Sequence, residues 1–98
     1  MKFEPTYLVT ARYAADAAQR RGPHRSAHLD RVAALLADGT ALVAGAYADL
    51  SASVLIVRAA DADAARAVCE ADPYWRHGVW TAIEVAEYLA ATPQSLGR

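Results

Sequence analysis

The sequence predicts an α+β fold in which a four-stranded antiparallel sheet, in the order β-α-β-β-α-β, carries two helices on one face. Three observations point to it. Stretches rich in β-branched and aromatic residues alternate with alanine-rich stretches of helical character. Helix-ending signals, Asp38-Gly39 and Asp72-Pro73, separate the two kinds. Two consecutive strand-like stretches in the middle of the chain are joined by only a few residues, as in a hairpin.

Thr6 to Tyr13 has the composition of the first strand. Ala14 to Gly22 is alanine-rich, with Asp16 and the basic pair Arg20-Arg21, and reads equally as a short helical turn or a mobile connection. Pro23 suits the opening of a helix, because its missing N–H would be unpaired there in any case. Leu29, Val32, Leu35 and Leu36 then share a face, with His28 on the same side, and Gly39 can take the left-handed conformation that ends the helix. Thr40 to Tyr47 and Ala52 to Ala59 are the second and third strands. Asp61 can cap the following helix, Asp63 favours its positive end, and Ala64, Ala65, Val68 and Cys69 form a small-residue packing face. Pro73 is expected to stop that helix. Gly78 precedes a last strand from Val79 to about Tyr88, and residues 92–98 have the composition of a flexible C-terminal tail, leaving 1–91 as one domain.

This order specifies a ferredoxin-like sheet. Val79, Thr81, Ile83 and Val85 should point one way and Trp80, Ala82, Glu84 and Ala86 the other, while Val54 and Ile56 oppose Leu55 and Val57. Both faces are therefore largely apolar. Two helices cover one of them, so the other is expected to meet a second sheet in a homodimer.

Composition restricts the function. The chain has 98 residues, 55% hydrophobic and 21% charged, which is the balance of one globular domain. Nine arginines and one lysine nearly balance eleven acids spread along the chain, for a formal net charge of −1, and no basic run is longer than Gln19-Arg20-Arg21. Nucleic acid is not an expected partner. No stretch approaches the ~20 apolar residues of a membrane span, and Met1-Lys2-Phe3-Glu4-Pro5 meets an acid and a proline early. The expectation is a cytoplasmic protein with no membrane partner. Cys69 alone cannot form an intramolecular disulfide and reads as a buried structural thiol.

Two segments carry the chemistry: Arg25-Ser26-Ala27-His28, and Asp72-Pro73-Tyr74-Trp75-Arg76-His77-Gly78-Val79. A histidine and an aspartate brought together can move a proton near neutral pH, the carboxylate fixing the imidazole tautomer and stabilising imidazolium. The same pair can equally be a partly buried histidine satisfied by an acid, with no reaction. Asp72-Pro73 is also ordinary turn chemistry. Arg25 can hold an anion or face solvent. Ser53 can bond a ligand or the aspartate, and Tyr74 and Trp75 fit packing as well as stacking.

Arg25-x-x-His28-Leu29, Leu35-Leu36-Ala37-Asp38-Gly39, Leu42-Val43-Ala44-Gly45, Ser53, Asp72-Pro73-Tyr74 and Gly78-Val79, in that order, resemble the YciI-like (YCII) family and span nearly the whole chain. The resemblance implies a ferredoxin-like fold paired as a dimeric α/β barrel, with His28 and Asp72 as the catalytic dyad. Two departures stand out: Ala46 occupies the place of a proline usual in the family, and the connection from Tyr47 to Ala52 is short, which reshapes the rim of the pocket.

The function expected is a cofactor-independent enzyme of lyase or isomerase type, transferring a proton on a small cyclic or aromatic molecule. His28 and Asp72 would be catalytic, and Arg25, Ser53 and Tyr74 would bind substrate. The alternative is a non-catalytic dimeric module that binds a small molecule or a protein. A haem-degrading oxygenase would need a histidine placed as an iron ligand. His24, His28 and His77 lack the spacing of a metal set, so no metal site is expected. Nor does the chain carry a phosphate-cradling glycine loop or a nucleophile elbow.

Overall fold

A computed structural model describes residues 2–97; Met1 and Arg98, at the ends of the expected domain and tail, lie outside the described residues. The elements are β1 (Glu4–Tyr13), α1 (Ala17–Arg20), a 3₁₀ turn (Gly22–His24), α2 (Arg25–Ala37), β2 (Ala41–Ala46), β3 (Ala52–Val57), α3 (Ala62–Glu70), α4 (Pro73–Arg76) and β4 (Trp80–Ala90). The strands form one antiparallel sheet in the order β2-β3-β1-β4. This is the α+β, ferredoxin-like arrangement that the order of elements predicts.

Local chemistry accounts for the boundaries. Gly39, with φ of +82°, ends the loop after α2 in the left-handed region. Asp61 caps α3, its side chain accepting from the Ala64 N–H at 2.7 Å. Asp72 caps α4 in the same way through the Tyr74 N–H at 2.9 Å. Pro73 departs from expectation: α3 has already ended at Glu70, and Pro73 stands in the first turn of α4, where its missing N–H costs nothing. The segment Ala14–Gly22 holds the helical turn α1, steadied by the Asp16–Arg20 ion pair.

Val9, Ala11, Leu55, Val57 and Ile83 project from the sheet into a core closed by Ala65, Cys69 and Tyr74 from the helical side. One expectation about this face is corrected. Strict alternation would put Trp80 on the opposite side from Ile83, yet both are buried in the same core. The β1–β4 register shifts at Arg12/Tyr13, so Arg12 faces Ala82 while Tyr13 faces Trp80. One extra residue in β4 turns the indole inward and leaves Thr81 exposed. Helix α2 is also seated differently from its leucine pattern: His28 is its buried residue, while Leu29 and Leu36 remain exposed.

On the other sheet face the register groups Leu8 with Ile56 and Ala86, and Thr10 with Val54 and Glu84. Val43, opposite Ile56, is more than half exposed, and Tyr88 is exposed as well. This face is largely apolar and carries no helix. After β4, residues 93–97 form turns. Thr92 is buried, donates through its hydroxyl to Glu4 at 3.1 Å, and exchanges hydrogen bonds with Ser95, whose carbonyl accepts from Lys2 N–H. No helix among the described residues is long and apolar enough to cross a membrane.

Candidate active site

Helices α2 and α4 bring His28 and Asp72 together. His28 Nδ1 lies 2.9 Å from Asp72 Oδ1, with His28 8% and Asp72 1% exposed. Three donors converge on the carboxylate: His28 Nδ1–H and the Tyr74 backbone N–H on Oδ1, and Arg31 Nη1 on Oδ2 at 3.3 Å. A carboxylate can only accept, so its neighbour Nδ1 carries the proton, and in the neutral imidazole the lone pair is then on Nε2. Nε2 has no hydrogen-bond partner among the described residues. Arg31 stands one turn after His28 on α2, which lets a single helix supply both partners of Asp72.

The imidazole plane is held from two sides. The Tyr74 ring stacks on it at 3.7 Å and 9°, and Trp80 meets it edge-on at 5.4 Å and 88°. Tyr74 and Trp80 are themselves perpendicular, so three rings form one interlocked cluster. Its location follows from local structure: the Asp72 cap turns Tyr74 inward, and the β4 irregularity does the same for Trp80.

His28, Tyr74 and Trp80 form one wall of a cavity of about 180 Å³. Leu29 and Val32 of α2, Ala44, Gly45 and Ala46 of β2, and Ser53, Leu55 and Tyr13 line the rest. The Ser53 hydroxyl donates to Tyr13 Oη at 3.0 Å, a partner the sequence did not suggest, rather than to Asp72. Arg21 and Arg25 also line the cavity. Burial pushes the Tyr74 phenol above its usual pKa; neighbouring Tyr13 adds to this, and the guanidiniums of Arg21 and Arg25 offset only part of it. Tyr74 therefore keeps its proton at neutral pH and can donate it. Trp80 presents a buried indole N–H with no acceptor among the described residues.

The structure thus places all five residues singled out from the sequence, Arg25, His28, Ser53, Asp72 and Tyr74, in or directly behind this cavity. It adds Arg31, Arg21, Tyr13 and Trp80, none of which the sequence reading had put at the site. His24 and His77 stand apart from the dyad and stack on each other at 3.9 Å and 6°. No group of three or more His, Cys, Asp or Glu among the described residues is placed to hold a metal ion. Cys69 is buried near the dyad; desolvation, with a further contribution from the Asp72 charge, pushes its thiol up to about 12, so it is not a nucleophile at neutral pH.

Comparison with known proteins gives two results. A family model described as the YCII-related domain matches residues 6–89. Among solved structures, 5-chloro-2-hydroxyhydroquinone dehydrochlorinase (TftG) from Burkholderia phenoliruptrix AC1100, in complex with 2,5-dihydroxybenzoquinone, superposes with a TM-score of 0.72 at 24% sequence identity, over 85% of this chain and 92% of that one. That likeness shows a shared fold. No curated protein matches the sequence.

Proposed function

The chain belongs to the YCII-related domain family, and from that premise we propose that it is an enzyme of lyase or isomerase type that transfers a proton on a small cyclic or aromatic organic molecule. The observation that carries this reading is the buried His28–Asp72 hydrogen bond on the wall of a cavity, with His28 Nε2 left without a partner.

In this reading Nε2 accepts a proton from the substrate and later returns it or gives it to water. Asp72 holds the imidazole in the tautomer that leaves Nε2 basic, then stabilises the imidazolium that forms. Arg31 and the Tyr74 N–H hold the carboxylate from its other sides, so it cannot turn away when the ring becomes charged. The dyad supplies this acid–base step without a further group. Arg25, Ser53 and Tyr74 are proposed to bind substrate, with the Tyr74 hydroxyl donating to a substrate oxygen. A volume of about 180 Å³ suits a single substituted ring, since a cavity of about 150 Å³ holds benzene.

The solved relative is named for removal of hydrogen chloride from a hydroxylated ring, which supports a reaction of this class. Its substrate is accordingly the first compound to test. Chloride release from 5-chloro-2-hydroxyhydroquinone above the uncatalysed rate would support the elimination; turnover found instead in a panel of small phenols and lactones would support proton transfer on another ring. A second reading, binding without turnover, draws on the fact that Asp72 ties α2 to α4 whether or not a proton moves. Saturable binding of these compounds with no product would favour it. The apolar sheet face without a helix supports a homodimer in either case, burying at least ~1,200 Å² in total.

A further inference from the structure

We infer that the cavity selects an anion: its substrate is a small planar ring bearing an ionised oxygen, a phenolate, enolate or carboxylate, held by Arg21 and Arg25. This rests on reading the cavity as the substrate site. The argument begins with where the arginines find their counter-charges. Arg12, Arg20, Arg31, Arg58 and Arg66 each have a carboxylate within ion-pair distance. Among the remaining described arginines, Arg21, Arg25 and Arg76 have none, and the first two line the cavity. No Asp or Glu lines it; the nearby acid, Asp72, is buried behind His28 and already accepts three hydrogen bonds.

The other polar groups of the cavity agree. The Tyr74 phenol keeps its proton, and both guanidiniums stand close enough to act on its ionisation. Two guanidiniums and a phenol are donors lining an otherwise largely apolar slot, so the complementary ligand is flat, apolar in its body and rich in acceptors at one end. An ionised oxygen also suits the proposed chemistry. Held by the arginines, it would keep the ring in the cavity that His28 also lines, and a charge that develops on the ring as the proton leaves would be met by the same cations.

The test uses benzoate and benzamide, two flat probes of nearly equal size that differ in charge. Binding is followed by NMR through the Trp80 indole N–H and the His28 ring signals of the full chain. Benzoate should bind at least ~10-fold more tightly than benzamide at low salt, and only its affinity should fall as salt is added. The double variant Arg21→Gln/Arg25→Gln should remove the preference, and Arg21→Lys/Arg25→Lys should retain most of it. Equal binding of the two probes, binding of neither, or a preference that survives the double glutamine variant would overturn the assignment. His28→Gln separates this from the proton-transfer reading. Loss of turnover with the benzoate preference intact supports both; unchanged turnover with the preference intact removes His28 as the base and leaves the anion site standing.

Discussion

Replacing Asp72 by Ala and by Asn should destabilise the protein by clearly different amounts. Alanine removes the cap of α4, a loss of about 1 kcal/mol. It also leaves the buried His28 Nδ1–H without an acceptor, for about 1–3 kcal/mol. The Arg31 side chain is 26% exposed and can turn to water, so its lost ion pair is discounted to below about 1 kcal/mol. The sum is about 2–5 kcal/mol. Asparagine caps a helix as well as aspartate and keeps an acceptor for His28 and the Tyr74 N–H, losing only the charge and setting an amide N–H₂ against Arg31. That costs about 1–2 kcal/mol. For a domain of this size each kcal/mol moves Tm by about 4–8 °C. Urea unfolding at pH 7, followed by far-UV circular dichroism at one fixed protein concentration, measures both variants. Equal destabilisation by the two, or less than about 1 kcal/mol for Asp72→Ala, would refute the account of Asp72 as the point where His28, Arg31 and α4 are joined.

Three further outcomes are expected. With its thiol pushed up to about 12, native Cys69 should not react with a thiol reagent at pH 8 until the protein unfolds; labelling faster than unfolding would show that the residue is reached from outside. Glu4, hydrogen-bonded by Arg58, has its pKa lowered, so its stabilising effect is complete above the ordinary glutamate value and lost as pH falls through the lower folded value. Glu4→Gln should therefore lower Tm at pH 7 and converge with the wild type in acid, and a gap that stayed constant with pH would contradict this. Light scattering at micromolar concentration should show a dimer. A monodisperse monomer would leave the apolar sheet face without a partner.

Much of the fold was legible because local signals and tertiary packing agree. Asp61 caps α3, Gly39 ends the α2 segment, and the four strands lie where β-branched residues cluster. The burial of Trp80 escapes simple alternation, which presumes an unbroken register, because the one-residue irregularity opposite Arg12/Tyr13 turns the indole into the core where Val79 is buried as well. No residue type marks that position. The meeting of His28 with Asp72, 44 residues apart, was legible only through the order of motifs shared with a family, since one histidine and one aspartate predict no contact. Arg31 follows His28 by three residues, a spacing that gains meaning only once Asp72 is known to sit beside that turn. Arg21 lies in the segment with the weakest pattern, and nothing in its alanine-rich surroundings points toward a cavity.

The central claim is that His28 Nε2 takes the proton, and turnover per folded molecule in His28→Gln tests it most directly. Glutamine preserves much of the size of the imidazole and can still reach Asp72, so folding and assembly should be nearly unchanged while the rate falls ~10²–10⁴-fold; Asp72→Asn should also lower it, because a neutral amide stabilises the imidazolium less than a carboxylate does. A His28→Gln protein that is folded and turns over substrate at the wild-type rate would contradict the account.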